Sequence, residues 1–205
     1  MNHQLSIKKA IKYAVDAVLS HPWYFVKLTL AWIGFSIFFL MIPALIMVLL
    51  AIAYVTPLLI ILGYFMLYVF GVFVWVLPTK LLLRFHDKGA EPFSLKLFFS
   101  QFDLGMIVKL LLTAMLFNIL IGAGLILLII PGIYLAVKFI FVFFNIIDTD
   151  CGIIEAFRRS YHRTNGNFWR LLALLLIAAL LLNLIITIPI SVLMMIHAYR
   201  QLNPA

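Results

Sequence analysis

The chain has 205 residues, of which 66% belong to the apolar set AVILMFWYC and 11% are charged, with a formal net charge of +8. Soluble domains carry roughly 25% charged residues, so this chain has too few to cover a water-exposed surface, and disorder needs the opposite composition. What remains is an all-α polytopic membrane protein of five to six spans. In such a protein excess cations read as the positive-inside bias rather than a nucleic-acid surface, and no nucleic-acid partner is expected.

In chain order, residues 1–27 hold an N-terminal interfacial helix. Ile7, Ile11, Ala14, Val15 and Val18 oppose Lys8, Lys9, Lys12 and Asp16 at helical spacing. Lys8, Lys9 and Lys12 are followed by a mixed stretch and His21-Pro22, which does not read as a cleavable signal. From Leu28 to Leu77 there is no charged residue. At 1.5 Å per residue this reaches roughly 75 Å, enough for two spans. The break is placed at Tyr54–Pro57, giving spans near Leu28–Ala53, kinked at Pro43, and Leu58–Leu77.

A polar cytoplasmic link covers 78–105, with a weaker amphipathic pattern in Leu95, Phe98, Phe99 and Phe102. Residues 106–147 form spans three and four, near Met106–Leu128 and Tyr134–Ile147, turned by the breaker pair Pro131-Gly132. Residues 148–167 hold a second interfacial helix. Ile153, Ile154, Ala156, Phe157 and Tyr161 face one way, and Glu155, Arg158, Arg159, His162 and Arg163 the other. Residues 168–205 hold a fifth span near Trp169–Ile186 and a short or re-entrant sixth segment after Pro189. The whole is one membrane domain.

Thirteen of the fifteen basic residues precede or join these hairpins on one side, which places the N-terminus in the cytoplasm. Each basic region is followed by an Ile-Pro: Lys27 with Ile42-Pro43, Lys109 with Ile130-Pro131, Arg170 with Ile188-Pro189. This suggests a threefold repeat of interfacial helix plus hairpin, in loose register. The interfacial helices either anchor the bundle or form a docking surface. In the second case Lys8, Lys9, Lys12, Arg158, Arg159, Arg163 and Arg170 meet anionic phospholipid headgroups or a cytoplasmic protein partner. Trp23, Tyr24 and Trp169 fit the aromatic belts at span mouths.

Lys138 is the intramembrane polar candidate. A lysine at mid-bilayer costs about 2.5–3.5 kcal/mol on insertion scales, so it needs a partner or a water-filled cavity, or its stem reaches the outer headgroups. His197 occupies the corresponding place in the third repeat. Asp150 is expected to cap the helix starting near Gly152, and Asn165-Gly166-Asn167 to make the next turn. The five histidines show no metal-ligand spacing, and no phosphate loop or nucleophile motif is present. The single Cys151 excludes an internal disulfide. No enzyme activity, metal or cofactor is expected.

One stretch carries a family likeness. Pro131-Gly132-Ile133, Ala136, Lys138, Asp148, Asp150, Gly152-Ile153, Ala156, Arg158, Ser160, Arg163-Thr164 and Phe168-Trp169-Arg170 follow one another in order. Over about Ile130–Leu175 this resembles the bacterial YciC-like (UPF0259) integral membrane proteins and the membrane domain fused to some glycerophosphodiester phosphodiesterases. The resemblance implies a roughly six-helix bundle in a bacterial inner membrane. Nothing here resembles the phosphodiesterase catalytic barrel, so that activity is not carried over. The expected role is a non-enzymatic structural or accessory protein. The alternative is a small transporter or lipid-handling protein built around Lys138, with an intramembrane enzyme third.

Overall fold

The computed structural model describes residues 4–52, 57–89, 103–181 and 188–202. Every described element is a helix: α1 (Ile7–Ser20), α2 (Pro22–Ile52), α3 (Pro57–Lys88), α4 (Leu104–Leu127), α5 (Ile129–Lys138), α6 (Val142–Thr149), α7 (Ile153–Arg163), α8 (Phe168–Leu181) and α9 (Ile188–Gln201). The amphipathic stretch at Leu95–Phe102 and the break at Tyr54–Thr56 lie outside the described residues. Among those described, Gly105–Ile126 and Ile129–Thr149 are long and apolar enough to cross a membrane, and the bent pair α7–α8 makes a third if taken as one span. That is fewer than the five to six expected. The helices α2 and α3 nevertheless run 31 and 32 residues.

Ser6 caps α1, its hydroxyl accepting from Lys9 N at 3.5 Å. The buried stripe of α1 is Ala10, Ala14 and Ala17, and the helix packs chiefly on α9. Small side chains at this spacing let two helices approach closely. The expected apolar face therefore divides. Ile7, Ile11 and Val18 pack at the edge of the core, whereas Val15 and Leu19 are exposed.

Helix α3 does not end with the apolar run at Leu77. It continues through Pro78 to Lys88 and is closed by Gly89, at φ 83, whose N–H donates to Phe85 O at 2.9 Å. The extension is held by burial of Thr79, Leu81, Leu82, Leu83 and Phe85, packed against α9 and α2. The polar link thus begins as helix.

The α4–α5 turn sits at Leu128, which is extended (φ −164, ψ 144). Pro131 and Gly132 fall inside the first turn of α5, which corrects their reading as the turn itself. A proline is tolerated there because first-turn N–H groups lack intrahelical partners. Gly132 has a packing role: a Cβ on it would lie 2.5 Å from Leu125 Cγ and 2.9 Å from Leu125 N, and one on Gly124 would lie 3.0 Å from Gly132 Cα.

The three Ile-Pro pairs occupy different places: inside α2, in the first turn of α5, and at the start of α9. Helices α2–α3, α4–α5 and α8–α9 do pack as pairs. The last segment is not peripheral. Leu193, Met194, Ile196, Ala198 and Tyr199 of α9 are fully buried, and α1, α2, α3 and α8 all contact it.

Candidate functional site

One end of the bundle collects the polar chemistry. It begins at a helix break that hydropathy did not show. Between α5 and α6 the regular hydrogen bonding stops at residues 139–141, and buried Ser160 of α7 bridges the gap. Its hydroxyl accepts from Phe141 N at 3.2 Å and donates to Lys138 O at 2.8 Å. Thr164 Oγ1 donates to the same carbonyl at 3.4 Å, and Asn145 Nδ2 donates to Ala156 O at 3.0 Å. These contacts pair 138 with 164, 141 with 160 and 145 with 156, so α7 folds back antiparallel along α5–α6. It then turns through 108° into α8. Gly166, at φ 77, makes that turn.

Lys138 lies at this turn, only 5% exposed. Its ammonium donates to Asn165 Oδ1 and stands 4.6 Å from the Tyr161 ring centroid and 5.6 Å from that of Tyr134. Two aromatic faces and an amide oxygen replace part of its hydration. The hydrogen-bond partner of Lys138 is Asn165, from the turn that follows the basic helix.

At Asp148, ten residues past Lys138 in the chain, Arg200 of α9 joins α3 to α6. The guanidinium grips Asp148 through Nη1 and Nη2, both at 2.7 Å, and Asp87 through Nε at 3.1 Å and Nη2 at 2.5 Å. Tyr199 donates to Asp148 Oδ2 at 3.0 Å. Arg163 lies over the Tyr199 ring, 4.8 Å from its centroid, and donates to Asn145 Oδ1 at 2.5 Å. Further along α3 and α9, His86 Nε2 and His197 Nδ1 are 3.1 Å apart, and His86 Nδ1 is 3.3 Å from Asp87 Oδ1. Tyr13 of α1 stacks on His197 with centroids 4.5 Å apart and planes 11° apart.

The expected docking residues separate into two groups. Lys8, Lys9, Lys12 and Arg158 are exposed. The others are engaged: Arg159 with Glu155 and Thr149, Arg163 as above, and Arg170 with Gln4 at 3.2 Å. The outer face of α7 is also not purely basic. Ile154 is 76% exposed and Tyr161 40%, and both lie beside Arg158 and His162 on that face. Ala156, Phe157 and Ser160 form the buried side. Asp150 does not cap α7. Gly152 holds that position without a side-chain bond, and Asp150 instead closes α6 in the left-handed conformation (φ 48) and pairs with Lys109 at 2.8 Å. Among the described residues no group of His, Cys, Asp and Glu is placed to hold a metal ion.

Sequence reading did not find Tyr13, His86, Asp87, Tyr199 or Arg200 as a cluster. A signal was present: Lys138 and Arg200 are the two basic residues outside the three clusters.

The family described as a domain of unknown function, DUF7847, matches residues 95–203. This chain belongs to the DUF7847 family. No curated protein and no solved structure matches it. The DUF7847 region runs from the link before α4 to the end of α9. It holds the Lys138 box, the Ser160 bridge, α7 and the Arg200 clamp. Tyr13, His86 and Asp87 come from helices before the DUF7847 region, so α1 and α3 complete a site whose larger part the family segment supplies.

Proposed function

We propose that this chain is a non-enzymatic structural or accessory protein of a bacterial cytoplasmic membrane. Its N-terminus is cytoplasmic, and its helices α1 and α7 bind anionic phospholipid headgroups. The observation that carries this reading is the exposed face of α7, where Ile154 and Tyr161 stand beside Arg158 and His162 at the end of the bundle that also presents the lysines of α1. An interfacial helix has this build: apolar groups enter the acyl boundary and cations meet headgroups. Trp23 and Trp169, both highly exposed, fit the same boundary. Five spans follow if α2, α3, α4, α5–α6 and α8 all cross, with α9 as the buried short segment. The resemblance to the YciC-like proteins supports the same layout.

The purified chain, titrated with short-chain phosphatidylglycerol and, separately, phosphatidylcholine, tests this by native mass spectrometry. Replacing Lys8, Lys9, Lys12 and Arg158 by Gln is expected to reduce phosphatidylglycerol retention by roughly tenfold or more and to leave phosphatidylcholine unchanged. Equal retention by both chains would overturn the reading.

A transport site around Lys138 has less support, because the ammonium is enclosed by Tyr134, Tyr161 and Asn165. An apolar residue of similar length replaces a sheltered charge at little cost. Lys138→Met is expected to change thermal stability in detergent by less than about 1 kcal/mol and to leave lipid retention intact. A large loss of either would restore a polar role.

A further inference from the structure

We propose that Tyr13, His86 and His197 form an acid-sensitive latch, which holds the basic helix α1 against α9 and releases it when both rings are imidazolium. The contact between His86 Nε2 and His197 Nδ1, at 3.1 Å, needs one nitrogen with a proton and one without. When both rings are imidazolium, two N–H groups face each other with no acceptor between them, and two like charges sit at hydrogen-bond distance. Tyr13 is the part of α1 that reads this pair. Its ring stacks on His197 and lies 4.8 Å, tilted, from His86.

The surrounding charges decide which ring opens the latch. From α3, Asp87 accepts from His86 and so accommodates one imidazolium. Asp87 is shared with Arg200 of α9, and Arg200 is itself shared with Asp148 of α6. From α1, Lys9 faces His197. Thus His86 has a carboxylate to answer its charge, whereas His197 meets Lys9 and, in acid, a charged His86.

Both rings lie beyond the apolar run of α3 and outside its span. Burial holds His86 below the usual histidine range, Asp87 opposes this and Arg200 adds to it. Burial also lowers His197, with His86 and Lys9 acting in the same direction. The folded state therefore binds fewer protons than the unfolded one below the ordinary value of 6.5. The latch contributes its full stability above that pH and loses it as the pH falls through the depressed values. The start of α1 is tied separately, by Leu5 N to Asn167 Oδ1 at 3.0 Å and Ser6 N to Gln201 Oε1 at 2.9 Å. Release therefore lifts the turns around Tyr13 between that tie and the bend at His21. Of the lysines of α1 only Lys9 faces the latch, and the latch is read as a distance with all headgroup-facing cations but Lys12 in place, so the latch and the lipid reading fail separately.

Spin labels on the full chain in nanodiscs test the latch. Lys12→Cys and Lys88→Cys report the distance from α1 to the end of α3; Leu112→Cys and Leu176→Cys, on α4 and α8, report the body. The native Cys151 is buried and is kept. Between about pH 7.5 and about pH 5, the first distance is expected to lengthen and broaden, with a midpoint below 6.5, while the second stays fixed. His197→Gln keeps a hydrogen-bonding amide without a titrating charge and is expected to abolish the response. A first distance that does not change, a His197→Gln chain that moves as the parent does, or a body distance that moves with the first would each overturn the latch.

Discussion

Replacing Arg200 by Gln is expected to cost about 3 kcal/mol of stability, the range for removing one partner of a sheltered ion pair. The midpoint of heat-induced loss of monodisperse protein in detergent should fall accordingly. The cost arises because Arg200 answers two carboxylates on two other helices. Asp148, with 16% of its side chain exposed, would keep, among the described residues, the Tyr199 hydroxyl as its side-chain partner. Lysine is not an adequate substitute, because a single ammonium cannot reproduce two paired contacts to Asp148 and two to Asp87. Arg200→Lys should therefore fall between the parent and the Gln variant. Asp87 is more exposed, and Asp87→Asn should cost about 1 kcal/mol or less. If the Arg200 and Asp87 variants proved equally mild, the clamp would not be holding α3, α6 and α9 together.

The second large effect is expected at the α4–α5 crossing. Gly132→Ala should destabilise by about 1–3 kcal/mol, the cost of overpacking a filled interface. The new Cβ would meet Leu125 Cγ at 2.5 Å and, more seriously, Leu125 N at 2.9 Å. The Leu125 side chain is half exposed and can swing away, but its backbone cannot move without separating the helices. Gly122 lies on the same helix as Leu125 and a Cβ there would meet nothing within 4 Å, so Gly122→Ala should be neutral. Thermal denaturation of the two variants side by side checks the pair. Equal stability would remove the close approach as the reason for glycine at 132.

The Arg200 clamp joins residues 52 and 113 positions apart, and the Gly132 contact depends on how two neighbouring helices cross; hydropathy and spacing carry neither. The helical class, the apolar stretches and the turn at Asn165-Gly166-Asn167 are legible, because each depends on neighbours within one or two helical turns; the α4–α5 turn is legible only to within a few residues, expected at Pro131-Gly132 and found at Leu128. The basic face of α7 was legible for the same reason, since periodicity places Arg158 and His162 opposite Ala156. Its apolar face was only partly so. Ile154 and Phe157 belong to one arc by spacing, yet Phe157 is buried and Ile154 exposed. The difference depends on how α7 is rolled against α6.

Two local signals stop short of the structure for the same reason. Hydropathy falls at Leu77, but a helix ends where its hydrogen bonds are capped. Burial by other helices carried α3 through Pro78 to Gly89. Local preference assigns Asp150 to the following helix, and Lys109, 41 residues away, engages it instead.

Composition and periodicity by themselves determined that this chain is helical and apolar enough for a membrane. Each of these follows from the solvent each residue type tolerates. Only the tertiary structure decided that the last segment is the hub of the core and that Lys138 faces Asn165. It likewise brought Tyr13, His86, Asp87, Asp148, His197 and Arg200 to one place. The physical reason is range: hydropathy and helical spacing act within a segment, whereas buried charges and paired imidazoles are placed by contacts between helices, such as the one that joins residues 111 positions apart.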